Sequence, residues 1–154
     1  MAGVASSAHA ESLWEAELRL GYGISVGGGD GMPSTRGSPL TFSGTASVAF
    51  NEDPLLYGYG GILVETLDRS SVGAVAGVRM LVGKVRLAGG GVRIFKPYTL
   101  WGGVVSVGTC KRLSANMQGC GSAEVTAYFA GDDLPSGHTV MQAQLVIGMV
   151  FDAP

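Results

Sequence analysis

His138 is the only histidine beyond the first ten residues, and it stands two positions after Ser136, with Glu124 further upstream. Serine, histidine and a carboxylate are the parts of an acyl-transfer site. Such a site needs the base within hydrogen-bond reach of the nucleophile and an acid that orients the base. Loop serines and histidines are common, and nearness in sequence supplies no such geometry. The sequence therefore assigns no catalytic residue, and an enzyme using His138 stands as an alternative to a non-enzymatic chain. Gly28-Gly29-Asp30-Gly31 lacks the Lys-Ser/Thr of a phosphate loop and the carboxylate spacing of a calcium loop. It reads as an exposed loop, and Asp132-Asp133 reads as a solvated loop tip. No metal ligands and no cofactor are indicated. Cys110 and Cys120 flank KRLSANMQG. Their even count and short spacing favour a loop disulfide made in an oxidising compartment, because no Cys-x-x-Cys or histidine cluster accompanies them.

The other ionisable residues look pairable: Glu15, Glu17, Glu65 and Glu124 with Arg19, Arg79, Arg86 and Arg93. What positions them is a two-residue alternation. From Leu13 to Val26 one face reads Trp14, Ala16, Leu18, Leu20, Tyr22, Ile24 and Val26. The other reads Leu13, Glu15, Glu17, Arg19, Gly21, Gly23 and Ser25. A helix would mix these faces. Leu40–Asn51 repeats the pattern, with Phe42, Val48 and Phe50 on its apolar face. Six more stretches follow: Leu55–Thr66, Ser71–Val82, Val85–Phe95, Thr99–Thr109, Gly121–Ala130 and Thr139–Phe151. The faces of the third and fifth are indistinct. Between the strands lie a Gly/Pro-rich loop over 27–39, turns at Asn51–Pro54 and Gly83-Lys84, and a loop over 131–138.

Composition decides which face meets which medium. Apolar residues make up 46% of the 154 residues and charged residues only 14%, against about 25% charged in ordinary soluble domains. Yet no run approaches the roughly 20 apolar residues of a membrane helix. An apolar surplus without an apolar run suits strands that alternate between lipid and a polar interior. The 26 glycines argue against long helices and suit a narrow barrel. Lysine is nearly absent from the strands, so the polar face makes a poor soluble surface. Trp14, Phe42, Phe50, Tyr57, Trp101, Phe129 and Phe151 sit near strand ends on the apolar face, as aromatic girdles would.

The expected fold is thus all-β: an eight-stranded, antiparallel, up-and-down transmembrane β-barrel. Its interior would hold the salt-bridge network Glu15, Glu17, Arg19, Arg79 and Glu124. Its lipid-facing belt would include Trp14, Leu18, Leu20, Val48, Phe129, Leu145 and Phe151. Eight strands leave an interior just wide enough for side chains, so the charged set reads as a plug rather than a pore. Residues 1–10, ending Ala8-His9-Ala10, read as a signal-peptide remnant or a disordered N-terminus, and 11–154 as one barrel domain. The net charge of −2 and the scatter of Lys84, Arg86, Arg93 and Lys96 exclude a nucleic-acid footprint.

The eight amphipathic strands, the Ala-His-Ala end and the last strand reaching Phe151 resemble small eight-stranded bacterial outer-membrane β-barrel proteins. The resemblance covers Glu11 to Phe151 as a pattern, with no subfamily motif. It implies a bacterial outer-membrane location, membrane lipid as the surroundings and recognition of the terminal aromatic by the outer-membrane assembly machinery, although Asp152-Ala153-Pro154 follow it here. It implies a structural or surface-interaction role without enzymatic activity. The alternatives are a soluble secreted barrel holding a small apolar ligand, and a lipid-modifying outer-membrane enzyme. With both termini on the periplasmic side, a long cysteine loop would fall where turns are normally short.

Overall fold

The computed structural model describes residues 14–29, 32–37, 39–52, 55–66, 70–132, 134 and 136–152; the leader-like segment 1–10 lies outside them. The strands are β1 (Trp14–Gly29), β2 (Met32–Gly37), β3 (Leu40–Glu52), β4 (Leu55–Thr66) and β5 (Ser70–Val82). They continue with β6 (Val85–Lys96), β7 (Leu100–Ser114), β8 (Met117–Ala130) and β9 (Thr139–Asp152). Every pairing is antiparallel between neighbours, and β9 closes on β1 from Glu15↔Asp152 to Gly28↔Thr139. β2 and β3 pair with successive parts of β1 and together form one stave. The barrel therefore has eight staves and no free edge.

Three expectations are corrected. The loop over 27–39 is mostly ladder: Val26↔Thr35 through Gly29↔Met32 extend the first hairpin beyond a register shift at Ser25/Val26. Backbone hydrogen bonds carry this extension, and its Gly/Pro-rich sequence has no alternation to announce it. The cysteine loop is likewise a hairpin. β7 runs to Ser114 and β8 starts at Met117, with Cys110 and Cys120 directly opposed. Their Cα atoms are 4.1 Å apart and the disulfide is formed. What looked like a long loop on the terminus-bearing end is a two-residue turn, as short as that end requires. Asp152 N–H donates to the Asn116 carbonyl at 3.0 Å, tying the turn to the end of β9.

The third correction concerns faces. Tyr57, expected outside, points inward and is 4% exposed; its β4 companions Leu55, Tyr59 and Leu63 are buried with it. Arg93, expected inside, points outward, because Val92 and Ile94 on either side of it are buried. The pattern is otherwise inside-out relative to a soluble barrel. Leu145 is 75% exposed and Ile62, Leu18 and Phe129 more than 60%, while Glu15, Glu17, Arg79, Gln142 and Gln144 are buried.

Two glycines show what the geometry demands. Gly83 takes φ +61° in the two-residue β5–β6 turn, where a side chain is strained. Gly77 and Gly90 oppose each other on the inner face of β5 and β6. A Cβ on either would lie 2.2–2.3 Å from a carbonyl oxygen of the other strand, so the inner wall there is backbone against backbone.

Candidate functional site

The alternation of β1 turns Glu15, Glu17 and Arg19 into the lumen. Register with β3 sets Ser47 beside Glu15 and Thr45 beside Glu17. From the far wall, Arg79 of β5 reaches across. Its NH1 donates to Glu15 Oε2 at 3.4 Å and to Ser47 Oγ at 3.2 Å, and its NH2 donates to Glu17 Oε2. The guanidinium lies 5.3 Å from the Tyr59 ring centre. Arg86 of β6 adds NH2 to Glu15 Oε2 at 3.2 Å, and its NH1 faces Cys110 Sγ at 2.9 Å and Cys120 Sγ at 3.1 Å. One level up, Arg19 pairs with Glu124 of β8, and its Nε lies 3.9 Å from Glu17. Buried charges are tolerable only when paired and hydrogen-bonded in this way.

All five residues of the expected interior network thus meet in one connected cluster, which Arg86 and Ser47 also join. Arg86 was legible as a pairable basic residue on a strand of indistinct faces, but nothing in sequence tied it to the disulfide. Glu65 departs from the expected pairing. It accepts from Gln142 Nε2 at 3.0 Å and, among the described residues, meets no arginine.

The lumen is layered. At the terminus-bearing end a vestibule of about 270 Å³ is lined by Glu15, Tyr57, Arg86, Arg112, Gln118 and Asp152, among others. Arg112 NH2 lies 3.2 Å from Asp152, and Gln118 donates to the same carboxylate. Above it sits the charged cluster, with one gap of about 30 Å³ within it beside the disulfide and another of about 30 Å³ between it and Leu63, Val75 and Val92, each on the scale of bound water. Further up, Thr41 Oγ1 donates to Gln144 at 2.8 Å. The loop-bearing half is not uniformly polar as expected: beside the Glu65–Gln142 contact it holds an apolar wall. Leu63, Val75, Val92, Ile94, Val104, Tyr128 and Val140 form an apolar core there, and Leu134 of the 131–138 loop packs against it. β4 carries apolar residues on both faces, Tyr59 and Leu63 within and Ile62 outside, and this indistinct pattern hid the inner set.

The residues expected to face lipid lie on the outer face. Trp14, Leu18, Val48, Phe129, Leu145 and Phe151 are exposed, and Leu20 is half-buried. An apolar belt around a charged core is the polarity of barrels that span a bilayer. The barrel is similar in fold to Neisserial surface protein A (NspA). With that crystal structure it shares a TM-score of 0.60 at 11% identity, over 94% of this chain and all of that one. Ail, the attachment invasion locus protein of Yersinia pestis, gives a TM-score of 0.49 at 17% identity over 92% of this chain and 99% of that one. The outer membrane protein AlkL gives 0.49 at 11%, over 99% and 96%. No protein-family model matches the sequence, and no curated protein matches it. Like NspA, then, the chain has the eight-stranded, all-antiparallel fold of small outer-membrane barrels.

Ser136, His138 and Glu124 form no acyl-transfer geometry in that fold. His138 Nδ1 faces the Ser136 backbone carbonyl at 3.4 Å, not its hydroxyl. Glu124 is held by Arg19 deep in the lumen. The structure does not bring Ser136, His138 and Glu124 together. Among the described residues, no group of three His, Cys, Asp or Glu is placed to hold a metal ion.

Proposed function

We propose that this chain is a bacterial outer-membrane barrel with a closed lumen, acting as a structural or surface-interaction protein rather than as a pore or an enzyme. The observation that carries the reading is the reversal of polarity. The large apolar side chains cover the outside, and the Arg79–Glu17, Arg86–Glu15 and Arg19–Glu124 pairs fill the inside. A soluble carrier of an apolar ligand needs the opposite arrangement. The ion-pair layer and the apolar layer above it leave a water-sized gap between them, which supports a plug. Delivery to the membrane by the outer-membrane assembly machinery, through the strand that ends at Phe151, belongs to the same proposal.

The test is reconstitution. The purified chain is expected to need detergent, to insert into phospholipid vesicles and to give no stepwise conductance in a planar bilayer. A monodisperse chain in plain buffer overturns the membrane part, and open-channel steps from the unmodified chain overturn the closed lumen. Lipid hydrolysis or acyl transfer that His138→Ala abolishes overturns the non-enzymatic part.

A further inference from the structure

Arg93 is out of place on an apolar belt. It lies on the outward face of β6 near the loop-bearing rim, directly opposite Trp101 of β7 and Ala74 of β5. Its guanidinium carbon sits 4.0 Å from the Trp101 ring centre and 5.0 Å from that of Phe95. Two rings therefore hold the cation, an arrangement favoured by the ring quadrupoles. Its Nε is shut off from solvent and has no hydrogen-bond partner. Among the described residues no carboxylate is at hand: β5, β6 and β7 contain no Asp or Glu, and Glu124 of β8 points inward to Arg19. Among the described residues, Arg93 forms no ion pair.

Just below this cation the outer wall is bare. Ala76, Gly91, Gly103 and Ala127 stand in one row across β5 to β8, each paired with the next. Packing inside the barrel does not demand the two glycines. A Cβ at Gly91 would meet nothing nearer than 4.0 Å, and one at Gly103 nothing nearer than 3.7 Å. The row is a shallow trough that runs on through Gly60 and Ala46, with Val78, Val105 and Val125 on the next outward row below it.

We infer that Arg93, braced by Trp101 and Phe95 above the Ala76–Gly91–Gly103–Ala127 trough, is a binding site for an anionic lipid of the surrounding bilayer. The phosphate of the headgroup takes the guanidinium, and an acyl chain lies in the trough. The planar fork of arginine matches phosphate geometry and is already held by the rings. At the membrane rim the phosphate supplies the anion that none of the described side chains provides. The inference rests on the membrane reading above.

The test uses the full chain in phosphatidylcholine vesicles, with Trp14→Phe so that Trp101 is the only fluorophore of its kind. Quenching is compared for acyl-brominated phosphatidylglycerol and acyl-brominated phosphatidylcholine at equal mole fraction. The anionic lipid is expected to be favoured at Trp101 about fivefold, the contribution of one basic side chain near a charged surface. Arg93→Gln is expected to bring the ratio to one, and Arg93→Lys to leave part of it. Gly91→Leu, which the barrel can accommodate, is expected to lower the ratio by filling the trough. Inorganic phosphate in millimolar excess is expected to change nothing. Equal quenching by the two lipids in the parent chain, or a preference that survives Arg93→Gln, overturns the site. A preference that inorganic phosphate abolishes assigns it to a soluble anion and overturns the lipid. Trp101 quenched by neither lipid but open to aqueous iodide overturns the membrane reading itself, a different result from equal quenching.

Discussion

Arg79 of β5 and Glu17 of β1 meet across the lumen with their side chains only 7% exposed each, so the far walls of the barrel are joined by a charge pair rather than by packing. Removing one member leaves the other charged and buried, which typically costs about 3–5 kcal/mol. Arg79→Met is therefore expected to lower unfolding stability in detergent micelles by about 3 kcal/mol. The lower end of that range applies because Arg86 NH2 still lies 3.8 Å from Glu17. Arg79→Met combined with Glu17→Gln is expected to cost less than the sum of the two single changes, since the pair acts as a unit. Urea midpoints of the three variants check this, and additive losses would show that the two residues act independently.

The belt makes a depth-dependent prediction. Leu18 is 63% exposed on β1, two outward positions above Trp14, while Leu113 is 55% exposed beside the β7–β8 turn. An arginine at the bilayer midplane of a barrel costs roughly 2–4 kcal/mol, and one near an interface about 0–1. Leu18→Arg is expected to fall in the first range and Leu113→Arg in the second, measured by refolding into phospholipid vesicles. In the absence of bilayer the two are expected to differ little. Equal costs in vesicles would mean that the belt does not sit in lipid.

How much of this was legible follows from where alternation is clean. β1, β3, β8 and β9 alternate with hardly a fault, so the sequence placed Leu18, Val48 and Phe129 on the outer face and Glu15, Glu17 and Arg19 on the inner. β4 and β6 do not alternate cleanly, because glycines take positions on both faces and an apolar residue beside glycine fits either side. Tyr57 and Arg93 were misplaced for that reason. The apolar upper lumen escaped notice because it is built from Leu63, Ile94 and Val104 of these and adjoining strands. The extension of the first hairpin and of the cysteine hairpin escaped notice because ladder hydrogen bonds are made by backbone, which leaves no mark in residue type. The link from Arg86 to the disulfide depends on two strands beyond reach of any local pattern.

Glycine at the inner wall gives a sharper contrast. A Cβ at Gly77 would lie 2.2 Å from the Gly89 carbonyl oxygen, whereas one at Gly121 would meet nothing within 4 Å. Backbone cannot yield as a flexible side chain can, so the overpacking cost of about 1–3 kcal/mol is a lower bound for Gly77→Val. That variant is expected to fold poorly into micelles, seen as loss of the compact, heat-modifiable band on a gel. Gly121→Val is expected to fold as the parent does. If both fold equally well, the two strands are not as close as described.

The disulfide closes a hairpin that the ladder already holds. Cys110 and Cys120 are separated by 10 residues, and in the chain-entropy picture closing so short a loop stabilises by about 2.5–3 kcal/mol at most. Arg112, Gln118 and Asp152 also tie the hairpin tip to β9 in the absence of the bond. Cys110→Ser with Cys120→Ser is therefore expected to lower stability by about 1–3 kcal/mol without preventing barrel closure. The loss is expected to be local. Amide exchange would rise at Lys111 to Gln118 and stay slow in β3 and β4, which face the hairpin only across the lumen. Faster exchange spread evenly over all eight staves would instead mean that the disulfide secures the Arg86–Glu15 contact, and through it the whole charged layer.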